Sequence, residues 1–187
     1  EKMGARLILK DGYIHASVKG RLIGASYEFP EVSVGATENL IMAATLAKGT
    51  TVLKNSAQEP EISDLCNCLS TMGAKIENSG KGEIVIEGVE SLSGSTHQVL
   101  LDRIELGTYM LAPAIAGGSL FLKKGARWLL TNFCNKLEEI GLETGICSKC
   151  GAVSRTNSLS DIVMSRHFEN DWLVRHSKAP KRDDLVY

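Results

Sequence analysis

Apolar and polar positions alternate along this chain with two periods, 3.6 and 2, and the order in which they do so predicts its elements. Leu40, Ala43, Ala44 and Ala47 recur at i, i+3, i+4 and i+7, which predicts a helix over 38–48. Ile41, Met42 and Leu46 make that helix apolar nearly all round, so it is expected to be buried. Lys48 and Gly49 supply its stop signals. Thr51–Lys54 reads as a strand. A second helix over 61–72 carries Ile62, Leu65, Cys66, Leu69 and Met72 on one face and ends at Gly73. Ala74–Glu77, a glycine-rich turn at Asn78–Gly82 and Glu83–Glu87 read as a hairpin. A third helix over 128–140 places Leu130, Phe133, Cys134, Leu137 and Ile140 on one face.

These elements repeat. Leu65–Gly73 matches Phe133–Gly141 at an offset of 68 residues. Ala43, Gly49 and Thr50 match Ala112, Gly118 and Ser119 at 69; Met3-Gly4-Ala5 matches Met72-Gly73-Ala74 at 69; Leu22 and Gly24 match Leu92 and Gly94 at 70. One unit, in the order strand, helix, strand, helix, strand, strand, is used at least twice, and its tail end three times. The fold class that follows is α/β, built of repeated βαβαββ units. No GxGxxG follows a predicted strand, which excludes a Rossmann arrangement, and the unit is longer than a solenoid repeat.

Composition narrows the function classes. The 187 residues are 43% hydrophobic and 23% charged, with a net charge of -1, so neither a nucleic-acid nor a membrane-surface binder is expected. No apolar run approaches the ~20 residues that span a bilayer, and no leader pattern opens the chain. Glu1 rather than Met stands first, as expected of a segment of a longer protein. Five cysteines, an odd number without a leader, point to reduced thiols and a cytoplasmic setting.

The candidate chemistry lies at turns. Ser33-Val34-Gly35-Ala36-Thr37 enters the first helix. Ser33 or Thr37 can cap the helix, the commoner use of such a turn. The same turn can hold an anion, because Gly35 admits a ligand and the first amides point outward. Asp102, with Glu105 three residues on, resembles a capping box, and with Arg103 could instead orient a substrate hydroxyl. Asn55–Glu61 reads as an ordinary helix start through Pro60 and Glu61, with Glu59 the surplus carboxylate. Cys147 and Cys150 are half of a zinc pattern, but His167 and His176 lack the spacing to complete it, so two turn cysteines and no metal are expected. Cys66 and Cys134 share one apolar-face position and are expected in the core.

Six blocks together resemble one family. They are Val32–Asn39, Ala43–Thr51, Glu59–Ile62, Met72–Ile76, Ile86–Val89 and Asp102–Thr108, in order and spacing. They are similar to the UDP-N-acetylglucosamine 1-carboxyvinyltransferases, strongly to about residue 124 and loosely to about 155. The resemblance implies an inverted α/β barrel of two domains, each built of βαβαββ units, and here incomplete. Residues 1–100 are expected in the first domain, 101–155 at the start of the second, and 156–187 as a divergent tail. It implies transfer of enolpyruvyl from phosphoenolpyruvate to the 3′-hydroxyl of UDP-N-acetylglucosamine, by addition and elimination, as the committed step of peptidoglycan synthesis. It implies no cofactor, a monomeric cytoplasmic enzyme, and no nucleic-acid or membrane partner.

Carried over residue by residue, Glu31, Val32, Ser33, Val34 and Gly35 would bind the nucleotide sugar, and Asp102 would face the cleft. The related 3-phosphoshikimate 1-carboxyvinyltransferases carry a Ser-Ser-Gln signature where this chain has Val34–Thr37. The family's phosphoenolpyruvate ligands and its proton-donating loop cysteine match no residue here, so a fragment without turnover is expected, an inactive remnant or binding module being the alternative. Glu31 stands where some members have lysine, and Pro113 is expected to kink a helix.

Overall fold

A computed structural model describes residues 1–116, 118–122, 126–146 and 162–166. The chain divides into two compact units, Glu1–Leu100 and Leu101–Tyr187.

The first unit opens with a hairpin, β1 (Arg6–Lys10) and β2 (Tyr13–Ser17), paired from Arg6↔Ser17 to Lys10↔Tyr13. Asp11 and Gly12 join the strands with φ of 53° and 78°, the two positive values that a type I′ connection requires. A four-stranded sheet follows, in the order β3 (Ser26–Glu28), β4 (Thr50–Lys54), β6 (Ile84–Glu87), β5 (Lys75–Asn78). β3 runs parallel to β4, and β6 runs antiparallel to both β4 and β5. Helices α1 (Val34–Thr45) and α2 (Pro60–Thr71) connect the strands. Side chains alternate across β4 and β6, so Leu53, Ile84 and Ile86 point inward. They meet Ile41 and Ala44 of α1 and Ile62, Cys66 and Leu69 of α2 in one core. Each fully buried isoleucine or leucine contributes about 1.5–3 kcal/mol.

α1 starts four residues before the expected position and ends at Thr45, before Lys48. The Lys48 amide donates to the Leu22 carbonyl at 2.8 Å instead of continuing the helix, and Arg21 satisfies carbonyls left over at this end. Its guanidinium donates to the carbonyls of Leu46 (2.8 Å), Ala47 (3.1 Å) and Val89, and pairs with Glu90. Those bonds satisfy carbonyls that have no helical donor to meet, and they tie three segments together. Gly88 fits this corner because a side chain there would collide with the Ala47 carbonyl. The expectation that α1 is buried all round needs correction. Met42 and Leu46 are 46% and 42% exposed, because the sheet and α2 cover only the face that carries Thr37, Ile41 and Ala44.

The second unit holds α3 (Arg103–Ala116), β7 (Gly118–Leu122), a 3-10 turn (Arg127–Leu130), α4 (Thr131–Glu139), β8 (Glu143–Ile146) and β9 (Ile162–Arg166). Its sheet runs β7-β9-β8, with β9 antiparallel to both neighbours. That is the order and direction of β4-β6-β5, so the sequence repeat is a structural repeat. The ends of α2 and α4 match in detail. Gly73 and Gly141 take φ of 102° and 87°, and the amides of Ala74 and Leu142 return to the carbonyls of Leu69 and Leu137. These are two Schellman stops at the same place in the unit. Leu106, Met110, Ala114, Cys134, Leu137 and Leu142 form the second core. α3 runs through Pro113, which is buried.

The sequence pattern predicts no element after residue 155, yet β9 lies there and stands at the centre of its sheet. The reason is the length of the connection. Residues 79–83 join β5 to β6, whereas 147–161 separate β8 from β9, so an offset of 68 no longer points to the strand.

Candidate functional site

The site forms where α1 begins. Phe29, at the end of β3, is buried and packs edge-on against Tyr27 at 5.0 Å. Its amide donates to the Lys54 carbonyl, and its carbonyl accepts from Asn55 Nδ2 at 2.8 Å. Those bonds hold the end of β3 beside the end of β4. The chain then turns through exposed Pro30, Glu31 and Val32 into Ser33. Ser33 is extended (φ -143°, ψ 121°), and its Oγ accepts from the Ala36 amide at 3.3 Å. It is the helix cap, and the capping reading holds.

The anion reading survives beside it. The Thr37 amide is taken by the Ser33 carbonyl at 3.0 Å. The amides of Val34 and Gly35 have no partner among the described residues. No acidic residue lies in the first turn, and the space where a Gly35 side chain would stand is open. Two outward amides at the positive end of a helix dipole, with room beside them, favour an anion.

Thr37, which the sequence offers only as an alternative cap, is instead the residue that holds this turn in place. Fully buried, it donates from Oγ1 to the Ser33 carbonyl at 2.7 Å and accepts from the Ala57 amide at 3.1 Å. It thereby fixes the helix start to the loop after β4. That loop closes a recess of about 390 Å³ lined by Val32, Asn55, Ser56, Gln58, Glu59, Lys81 and Gly82. Glu59, the surplus carboxylate of the sequence, sits before α2 and accepts from the Gln58 amide at 2.9 Å. Another recess of the same volume is lined by Met3, Leu22, Leu40 and Leu53 among others. Its walls are mostly apolar, and its lysine, Lys2, lies 5.3 Å over the Tyr27 ring, so it is a poor match for a phosphorylated ligand.

Asp102, in the second unit, caps α3. Its Oδ1 accepts from Ile104 at 2.8 Å and Glu105 at 3.0 Å. It also lines a recess of about 260 Å³ with Leu101, Glu105, Leu106, Tyr109, Phe121 and Leu122. Cys66 and Cys134 are buried, and burial raises both thiols above the ordinary value; Glu138 adds to this at Cys134 and Arg127 opposes it. Cys147, Cys150, His167 and His176 lie outside the described residues. Among the described residues no cluster could hold a metal ion, and no helix is long and apolar enough to cross a membrane.

Residues 1–170 match the family described as EPSP synthase (3-phosphoshikimate 1-carboxyvinyltransferase). The UDP-N-acetylglucosamine 1-carboxyvinyltransferase of Dinoroseobacter shibae is 55% identical over 157 residues, which is 84% of this chain and 37% of that protein. The enzymes of the same name from Ruegeria pomeroyi and Cereibacter sphaeroides are 56% and 58% identical, again over 84% of this chain and 37% of each relative. The chain thus spans little more than a third of the curated relatives it matches. Among solved structures, the enolpyruvyl transferase NikO from Streptomyces tendae aligns with a TM-score of 0.71 at 20% identity, covering 88% of this chain and 40% of its own. An EPSP synthase from Acinetobacter baumannii aligns at 0.59 and 19%, covering 88% and 37%. At that identity the likeness concerns the fold: repeated βαβαββ units of the inverted α/β barrel, in part.

Proposed function

This chain belongs to the EPSP synthase family of enolpyruvyl transferases, and from that premise we propose that it is part of a UDP-N-acetylglucosamine 1-carboxyvinyltransferase. The whole enzyme moves the enolpyruvyl group of phosphoenolpyruvate onto the 3′-hydroxyl of UDP-N-acetylglucosamine and releases phosphate. The substrate hydroxyl adds to C2 of the enol phosphate as a proton joins the methylene carbon, and loss of phosphate together with a proton from that carbon restores the double bond. It works in the cytoplasm, as a monomer, in peptidoglycan synthesis. In this reading residues 1–100 belong to its first domain and residues 101–155 to the start of its second.

The part assigned to this chain is nucleotide-sugar binding by Glu31, Val32, Ser33, Val34 and Gly35. The observation that carries the reading is the pair of unpartnered amides at Val34 and Gly35, held open by Ser33 and Thr37. A diphosphate seated there receives two backbone hydrogen bonds and the helix dipole, whichever side chain stands at position 31. Asp102 is carried over in this reading as a cleft residue of the whole enzyme. Burial raises the Cys66 and Cys134 thiols, which suits neither to proton transfer, and in this reading the chain binds without turning over.

Titration of the 187-residue chain with UDP-N-acetylglucosamine, followed by backbone amide resonances, tests this. The Val34 and Gly35 amides are expected to move, 3-phosphoshikimate is expected to leave them in place, and phosphate release from phosphoenolpyruvate should stay at blank. Ser33→Asp keeps a good cap but sets a carboxylate against the phosphates, and should abolish the shifts without unfolding the helix. Static Val34 and Gly35 amides in the unaltered chain would sink the reading.

A further inference from the structure

Lys81 stands in the recess beside the α1 turn, and three facts place it there. The turn between β5 and β6 is fixed internally: Gly80 N donates to Asn78 Oδ1 at 3.0 Å, Lys81 N to Ser79 Oγ at 3.2 Å, and Ser79 Oγ to the Glu83 carbonyl at 2.8 Å. The turn is also tied to the loop after β4, because Ser56 N donates to the Gly82 carbonyl at 2.9 Å. Gly82 has φ of 78°, the conformation that favours glycine, and it lies beside the loop, where a Cβ on it would stand 3.4 Å from Gln58 Nε2 and 3.5 Å from the Ser56 carbonyl.

The chemistry of the recess is mixed. Lys81 is its one cation and has no ion pair among the described residues. Gln58 offers an amide, and Glu59 offers a carboxylate that would repel a phosphate but accept from a hydroxyl. Ser56 is 2% exposed, and its Oγ has no hydrogen-bond partner. An unpartnered buried hydroxyl is costly unless a ligand or water meets it. Val32, which precedes the two open amides, forms another wall.

We propose that Lys81, presented by the β5–β6 turn, is the phosphate-facing cation of the nucleotide-sugar site, standing in for the positive side chain that position 31 lacks. The inference rests on the reading that the α1 turn binds the diphosphate. Glu31 places a negative charge at the edge of that turn, and two backbone amides do not neutralise a diphosphate. Lys81 does so from across the recess, while Glu59 and Gln58 meet hydroxyls of the sugar or ribose. The site would therefore select a glycosylated or nucleoside phosphate over a bare nucleoside. Because Lys81 is exposed and its ammonium makes no ion pair among the described residues, removing it should spare stability.

The test compares the unaltered chain with Lys81→Ala and Lys81→Gln, titrating UDP-N-acetylglucosamine and uridine while following the Val34 and Gly35 amides. Both variants should bind the nucleotide sugar about fivefold more weakly and uridine unchanged, with the gap narrowing as salt is raised. Glu31→Lys added to Lys81→Ala should restore the affinity, which a structural role for Lys81 would not allow. Equal affinity of variant and unaltered chain, with Val34 and Gly35 still titrating, overturns the role of Lys81 and leaves the α1 reading standing. Val34 and Gly35 amides that fail to move in the unaltered chain overturn both.

Discussion

Ser33 and Asp102 occupy the same place in two copies of one structural unit, and they leave opposite surfaces behind. Each caps the first helix of its repeat. Ser33 satisfies one amide with a neutral hydroxyl, and no acid follows in the first turn of α1. Asp102 satisfies two amides with a carboxylate, and Glu105 follows in the first turn of α3. A helix start keeps its affinity for anions only while its amides stay open and its neighbours stay uncharged. The first turn of α1 keeps two amides open and carries no acid, although Glu31 stands before its cap, whereas α3 has a carboxylate cap and Glu105 in its first turn. Capping therefore does not decide function at such a position; the charge of the cap and the number of amides it consumes do.

A second difference lies one turn further in. Thr37 is the polar bolt of α1, whereas Leu106, at the matching position of α3, is a core residue of the second unit. The largest test of the comparison is Thr37→Val. It leaves the buried Ala57 amide without an acceptor and should cost about 1–3 kcal/mol in urea denaturation. A loss near zero would show that water replaces Thr37 and that the α1 turn is not held as described. Next in size, Asp102→Ala should cost about 1–2 kcal/mol and Ser33→Ala about 0.5–1 kcal/mol, since the aspartate serves two amides and the serine one. A reversed order would break the contrast between the two caps.

The smallest effect is shared by both repeats. Burial pushes the Cys66 and Cys134 thiols above the ordinary value of 9.0. The folded chain then holds these protons to higher pH than the unfolded chain. Their contribution is complete below 9.0 and is lost as pH rises through the folded values. The urea midpoint should fall as pH rises above 9.0, and Cys66→Ala and Cys134→Ala should each remove part of the slope. A slope indifferent to both substitutions would place the alkaline loss elsewhere.

Much of this was legible in the chain itself. The offset of Leu65–Gly73 and Phe133–Gly141 is visible because a buried helix face and a glycine stop tolerate few residue types, so two copies of one unit still look alike. The capping roles of Ser33 and Asp102 are local and could be read from three or four residues. Asp11-Gly12, flanked by alternating residues, carries a hairpin signal that the pattern of longer elements overshadowed. β9 was not legible, because a longer connection removed the offset that would have located it.

Local pattern and repeat determined which segments become helices and strands, since those depend on periods and stop signals within a few residues. The tertiary structure decided what the α1 turn can do. It brought Thr37 to Ala57, left the Val34 and Gly35 amides open, and set Lys81 across a recess from Val32. No local rule contains these pairings, because residues 37 and 57, or 32 and 81, meet only after the sheet between them has formed.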